Sequence, residues 1–259
     1  MKIIAFNASP KGIRGNTQKI LTSLVNAAKD AGAQSELVLL KNQRIEDCTG
    51  CLTCWFKSPG KCVWSDDVNH LRDKLFQSDY IIMASPVYLF SISSQLKRFL
   101  ERLLFPLSKP EIQIVDGKLC HPTVINGKPL KFLLLTTGAF DDTDDIEHME
   151  QHFKRIIHST VTPEGDIYAD CQGVICIHPF TLLADSEVLD KSKVLFDRIN
   201  LLGKKIAETG HADKALISEI NRPIYQYTGM SRQTAIVKNN EILLAIKQQF
   251  ESTRNTYVP

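Results

Sequence analysis

Short apolar runs alternate with stretches of helical periodicity along most of this chain, and that alternation restricts the fold more than any other feature. Residues 3–8 form a strand-like run, after which Leu21, Leu24, Val25 and Ala28 fall at i, i+3, i+4 and i+7 on one face of a helix. Residues 36–40 make a second run. Asp66 and Asp67 are N-cap candidates for a helix carrying Val68, Leu71 and Leu75. Residues 80–84 supply a third strand. Ser93 or Ser94 can cap the next helix, whose Leu96, Phe99, Leu100, Leu103 and Leu104 form a broad apolar stripe. Residues 105–129 hold four prolines and little periodicity and read as an excursion. A strand at 131–136, a helix at 146–157, a strand at 173–179 and a long helix at 187–208 complete the series.

Five strands alternating with helices imply an α/β fold, a doubly wound parallel sheet, because right-handed crossovers place helices on both faces. Beyond Gly210 the rhythm fails. Residues 221–230 are turn-rich, with Tyr225 and Tyr227, and a last amphipathic stretch carries Ile242, Leu243, Ile246 and Phe250. The expected organisation is therefore a domain over 1–209 and a C-terminal extension over 210–259 that contacts a subunit partner.

Composition narrows the function classes. Lys plus Arg number 31 against 29 Asp plus Glu, so no strong field favours nucleic acid or an anionic membrane. No run approaches the ~18 apolar residues of a membrane span, and the first apolar stretch is too short for a secretory signal. Seven cysteines, four of them clustered, then read as metal or redox chemistry in the reducing cytoplasm rather than as a disulfide framework.

The clustered four are Cys48, Cys51, Cys54 and Cys62, in a C-x2-C-x2-C-x7-C array. The two short spacings put three thiolates on one tight turn, where they can reach three corners of a cubic cluster, and the fourth returns from a stretch containing Pro59 and Gly60. Bacterial ferredoxins use the same opening spacing. Structural zinc sites more often pair two C-x2-C knuckles across a longer span. Zinc, a redox disulfide and unligated thiols remain open alternatives.

Ligands of an open parallel sheet bind beyond the carboxyl ends of its strands, so the loops after strands one, three and four carry the chemistry. The first runs Ser9-Pro10-Lys11-Gly12-Ile13-Arg14-Gly15-Asn16-Thr17 into a helix N-terminus, whose amides and dipole favour a phosphate. It lacks the Gly-Lys-Ser/Thr ending of a nucleotide-hydrolysing loop, and no G-x-G-x-x-G is present. Strand two ends at Leu40-Lys41 rather than at the acidic residue that would hold a dinucleotide ribose, so an FMN-type phosphate fits better. Residues 85–91, Ser-Pro-Val-Tyr-Leu-Phe-Ser, offer a proline turn and aromatic surface for a flat ring. Residues 136–140, Thr-Thr-Gly-Ala-Phe, let backbone amides approach a ring edge.

The order Ser9-Pro10-Lys11 to Asn16-Thr17, Cys48-Thr49-Gly50-Cys51 to Cys54 to Cys62, Asp66-Asp67, Ser85-Pro86-Val87-Tyr88, then Leu96-Lys97-Arg98-Phe99 to Glu101-Arg102 resembles the iron-sulfur flavoprotein branch of the NAD(P)H-dependent FMN reductase family over residues 1 to about 205. The resemblance implies a flavodoxin-like fold of strand order 2-1-3-4-5, non-covalent FMN, and a homodimer or homotetramer. It also implies a [4Fe-4S] cluster beside the flavin. It assigns Ser9, Lys11, Asn16 and Thr17 to the phosphate, Pro86, Val87, Tyr88, Leu89 and Phe90 to the flavin-flanking turn, and Thr137 and Gly138 to the third flavin loop. Cys48, Cys51, Cys54 and Cys62 become the cluster ligands. The resemblance does not extend to the stretch after Gly210.

Other candidates are weaker. Cys120, Cys171 and Cys176 read as buried structural thiols. His148 and His152 lie four apart on a helix without a third ligand at helical spacing beyond Glu147, and the acidic run Asp141, Asp142, Asp144, Asp145 and Glu147 reads as a solvated helix start. The expectation is a cytoplasmic electron-transfer flavoprotein with FMN, a cluster, NAD(P)H as a candidate reductant, and a ferredoxin or small molecule as redox partner. Cofactors would carry the chemistry, so no side chain is needed as a catalytic residue. The rivals are an NAD(P)H-dependent FMN or quinone reductase without a cluster, and a zinc-stabilised binding module that is not an enzyme.

Overall fold

In the computed structural model of the chain, residues 1–125, 127–140 and 143–252 are described, the last span including 143–145 and 250 by backbone alone. Asp141 and Asp142, and the side chains of Asp144, Asp145 and Phe250, lie outside the described residues. Strand β1 (Lys2–Asn7) leads through a 3-10 turn (Gly12–Arg14) into helix α1 (Asn16–Asp30), and β2 (Gln34–Leu39) follows. The cysteine loop carries the short helix α2 (Thr53–Phe56) and ends at α3 (Val68–Phe76). Next come β3 (Tyr80–Tyr88), β4 (Ser91–Ile92), α4 (Ser94–Leu104), β5 (Gln113–Val115), β6 (Lys118–Pro122) and β7 (Leu130–Thr137). Helix α5 (Thr143–Ile157), β8 (Thr160–Val161) and β9 (Ala169–Ile177) precede five helices: α6 (Ser186–Lys191), α7 (Lys193–Thr209), α8 (Lys214–Ile220), α9 (Ile224–Tyr227) and α10 (Arg232–Ser252).

The main sheet has the order β2-β1-β3-β7-β9, all parallel, with β4 folded back antiparallel on β3. Counting the parallel strands alone, this is the expected flavodoxin-like 2-1-3-4-5. β3 and β7 are central, and Ile81, Ile82, Leu133 and Leu134 are buried because helices cover both faces. Helices α1 and α7 close one face through Leu21, Leu24, Ile199 and Leu202. They cross so closely that a Cβ on Gly203 would sit 2.2 Å from the Leu24 carbonyl oxygen. On the other face α3, α4 and α5 bring in Leu71, Phe99 and Phe153.

The described fold departs from the expected one in four places. Residues 105–129 are not a plain excursion: β5 and β6 form a hairpin, and β8 adds in parallel to give a second, three-stranded sheet. Its strands are short and leave Ile114 and Leu119 exposed, so they carry little alternation. The long helix breaks at Ser192 into α6 and α7. Asp67 holds the N-cap position of α3 without a side-chain cap bond, its Oδ2 instead accepting from Arg44 N at 2.7 Å. Ser93, by contrast, accepts from Leu96 N at 3.3 Å and caps α4 as expected. Finally, Leu216, Ile217, Ile220, Ile224 and Ala235 are buried in the same cluster as α1 and α7, so the segment after Gly210 completes that face of the core. Along α10, Ile236, Val237, Leu243, Leu244 and Ile246 stay exposed.

Candidate functional site

Strands β1, β3 and β7 are neighbours in the sheet, so the loops that follow them meet at one edge. The first loop is drawn tight by Asn7, whose Oδ1 accepts from Ser9 N at 2.7 Å. Gly15 is the N-cap of α1 and offers no side-chain cap; a Cβ there would lie 2.6 Å from Ser9 Oγ. The first amides of α1 are thus left for an anion. Gly12 has φ +55°, and a Cβ on it would meet Lys41 Cδ at 2.5 Å, so the lysine stem lies across the loop. Lys41 adds a positive charge to this loop that sequence reasoning missed. Lys11 and Asn16 are exposed, whereas Ser9 and Thr17 are buried. The Thr17 hydroxyl is 2.9 Å from that of Thr137, which ties the first loop to the third.

The third-strand loop is a two-residue hairpin between β3 and β4, with Tyr88 paired to Ser91. Leu89 and Phe90 have φ of 47° and 62°. Such a turn normally takes Asn-Gly, because left-handed backbone costs other residues roughly 1–2 kcal/mol each. Leu89 is 93% exposed, so core packing does not offset that cost. Phe90 stacks on Phe140, ring centroids 6.2 Å apart and planes 22° apart. Strain retained at an exposed apolar rim points to a binding role. Below the rim lies a hollow of about 130 Å³ lined by Val87, Phe90, Gly138, Phe140, Met149 and Cys176. Leu89 also borders it. Pro86 is buried opposite Thr137, and Tyr88 is exposed. Met149 and Cys176 carried no local signal of this placement, and Cys176 is a buried thiol as expected.

The cysteine loop, residues 47–63, is closed at its neck by side chains. Glu46 N donates to Asp66 Oδ2 at 2.9 Å, and Asp67 N donates to the Arg44 carbonyl at 3.1 Å. Arg102 from α4 donates Nη1 to the Glu46 carbonyl at 2.7 Å and grips Asp66 bidentately at 2.9 and 3.0 Å. Asn69 of α3 exchanges hydrogen bonds with the Cys62 backbone at 3.3 and 3.1 Å, and Arg72 donates to the Gly60 carbonyl. Trp55 Nε1 donates to the Phe105 carbonyl at 3.0 Å. Cys48, Cys51, Cys54 and Cys62 all line one small hollow of about 20 Å³, together with Arg102 and Phe105.

Charge in that hollow is uneven. Burial pushes the Cys54 thiol up, and the neighbouring Cys62, Cys51 and Cys48 add to the shift. A hydrogen bond from the Thr53 side chain holds Cys51 below the ordinary thiol range. Arg102 Nε donates to Cys62 Sγ at 3.1 Å. Burial alone would lower the Arg102 pKa; the bonds to Asp66 and Cys62 outweigh it and raise it. Among the described residues, no three His, Cys, Asp or Glu side chains are grouped as a single metal ion requires. Four thiols lining one hollow are the donor set that an iron-sulfur cluster takes. Asp66 and Arg102 stood in the family pattern but were given no site role, because their pairing joins α4 to the far end of the cysteine loop. Cys171, half-buried, is pushed up to about 11 by burial, as an inert thiol would be.

A family model for NADPH-dependent FMN reductases matches residues 1–173. The chain belongs to this family. Among relatives, this FMN reductase family member is 36% identical over 104 residues to an iron-sulfur flavoprotein of Archaeoglobus fulgidus, 40% of this chain and 46% of that one. An iron-sulfur flavoprotein of Methanocaldococcus jannaschii is 36% identical over 102 residues, 39% of this chain and 51% of that one. The chain spans about half the length of the curated relatives it matches. Among solved structures, an NAD(P)H:quinone oxidoreductase from Methanothermobacter marburgensis superposes with a TM-score of 0.57 at 12% identity, covering 80% of this chain and 96% of that one. An FMN-dependent NADH-azoreductase from Bacillus anthracis, in complex with FMN, gives 0.53 at 15% identity, covering 80% and 100%. Those two establish the shared fold. Among the described residues no helix is long and apolar enough to cross a membrane.

Proposed function

We propose that this chain is a flavin-dependent oxidoreductase that binds FMN at the loops after β1, β3 and β7 and carries a [4Fe-4S] cluster on Cys48, Cys51, Cys54 and Cys62. It would pass electrons from a donor such as NAD(P)H to a ferredoxin or a small-molecule acceptor in the reducing cytoplasm. The observation that carries this reading is that all four cysteines line one hollow, in a chain whose sheet also presents a phosphate-type loop and a strained hairpin. The names of the iron-sulfur relatives support it.

When bound, FMN supplies the exchange between two-electron and one-electron chemistry, and a [4Fe-4S] cluster supplies one-electron storage. The chain's own residues bind and orient. The α1 N-terminus, Ser9, Lys11, Asn16 and Thr17 would hold the phosphate, aided by Lys41. Pro86, Val87, Tyr88, Leu89, Phe90, Thr137 and Gly138 would shape the ring site, and Phe90 with Phe140 would cover it from water.

Anaerobic purification followed by iron, sulfide and flavin quantitation tests the reading. It expects FMN with iron and sulfide in the proportion of a [4Fe-4S] cluster. Flavin without iron would leave a cluster-free FMN or quinone reductase, and stoichiometric zinc without flavin would leave a binding module.

The 210–259 segment is proposed to end in an oligomer contact, because α10 exposes Leu243, Leu244 and Ile246 beyond the part that completes the core. Truncation after Asn240 should shift the sedimentation mass from a homodimer or homotetramer toward monomer. An unchanged mass would make α10 a loose appendage.

A further inference from the structure

One planar cation touches both ends of the cysteine loop and one of its sulfurs. Glu46 precedes the first clustered cysteine and Asp66 follows the last, and Arg102 binds the carbonyl of one and the carboxylate of the other. Its remaining edge, Nε, donates to Cys62 Sγ at 3.1 Å. The Arg102 and Asp66 side chains are 1% and 0% exposed. A buried ion pair of this kind is a poor source of stability, because desolvation cancels most of its attraction. Its position against a sulfur therefore needs another explanation. Arg98, one turn earlier on α4, forms a different pair: its Nε is 3.3 Å from Asp47 Oδ1, with side chains 41% and 85% exposed. A solvated pair like that is worth little.

A donor N–H and a fixed positive charge beside a cluster thiolate stabilise the more negative, reduced state of the cluster. Hydrogen bonds to the sulfurs are among the main determinants of cluster potential, and partners that orient a ligand also slow metal loss. The Nε–H bond meets that description for Cys62. The grips on Glu46 and Asp66 keep the loop closed before any cluster is inserted, which lowers the ordering cost of assembly. No other described side chain combines these contacts.

We propose that Arg102, clasped by Asp66, is a positioning residue that pre-forms the cysteine loop and, through its Nε–H on the Cys62 sulfur, raises the reduction potential of the cluster held there, an inference that rests on the cluster reading above.

The test uses the full chain purified anaerobically with its cofactors. Arg102→Lys keeps the charge but loses the planar fork, while the double variant Asp66→Asn/Arg102→Gln removes both buried charges and keeps hydrogen-bonding shapes. Iron release to a chelator and the cluster midpoint potential, followed by electron paramagnetic resonance during dithionite titration, are measured beside FMN content. In both variants iron loss should accelerate roughly 10- to 100-fold and the potential should move to more negative values, with FMN retained. Arg98→Gln should change neither. Folded Arg102→Lys protein with wild-type potential and wild-type iron release would overturn the proposal, as would an equal shift in Arg98→Gln. Wild-type protein that binds flavin but no iron would overturn the cluster reading itself and the proposal with it, an outcome distinct from an iron-loaded protein in which Arg102 is silent.

Discussion

The loops after β1, β3 and β7 and the cysteine loop are held by different forces. The former are continuations of buried strands: Pro86 lies opposite Thr137 in the β3–β7 register, and Ser9, Pro86 and Thr137 are buried. Their positions follow from the core. In the latter, no residue from 47 to 63 is buried. That loop has no core of its own and hangs on polar contacts from α3 and α4, chiefly Asn69, Arg72 and Arg102. Hydrogen bonds are worth little net but are costly to orphan, so a loop held this way is orderly until one partner is removed. The comparison teaches that the two candidate cofactor sites should fail independently.

The strongest test of that independence is Cys51→Ala. It should abolish stable iron binding and slow transfer to a one-electron acceptor sharply while FMN stays bound; Cys171→Ala, outside the loop, should alter neither. Full iron content and one-electron transfer in anaerobically prepared Cys51→Ala would remove the quartet from the relay. Asp66→Ala comes next. Leaving Arg102 buried without its partner should cost about 3–5 kcal/mol in denaturant unfolding, and a change within the error of extrapolation would show the neck to be solvated. Thr17→Val acts on the other side of the comparison. The loss of a hydroxyl donor to an anionic phosphate is worth about 1.5–3 kcal/mol, so FMN affinity should fall roughly one to two decades. Unchanged titration would take Thr17 out of the site. Its hydroxyl also meets Thr137, so Thr137→Val combined with Thr17→Val should cost less than the sum of the two.

The smallest effect concerns the hairpin. Leu89→Asn with Phe90→Gly places the preferred residues at the two left-handed positions and should raise stability by up to about 1 kcal/mol, while FMN binding weakens because Phe90 leaves Phe140. A variant that gains no stability would mean that the turn is not strained; one that keeps full FMN affinity would mean that the aromatic pair is not part of the ring site.

Much of the fold was legible because period and spacing are local properties. The alternation of apolar runs and helical faces was enough for a parallel doubly wound sheet, Ser93 was recognisable as a cap, and the four cysteines declared themselves by spacing. Three of the residues predicted at the flavin turn, Val87, Leu89 and Phe90, do border one hollow with Gly138. What escaped lies between residues distant in sequence. The sheet β5-β6-β8 depends on a strand that arrives only after β7 and α5. The stack of Phe90 on Phe140 and the burial of Leu216 and Ile220 against α1 and α7 are likewise contacts between separate segments.

By itself, then, the sequence determined which residues face a core and which thiols can share a ligand, since periodicity and spacing are written along the chain. Only the tertiary structure decided what each face meets. Asp66, read as a helix cap, accepts from Val68 N at 3.2 Å and is also the buried partner of Arg102, and the Thr17 hydroxyl, read as a phosphate donor, also meets that of Thr137. A side-chain hydrogen bond is directional and short, so its partner depends on where two separate segments come to rest, and nothing within either segment records that.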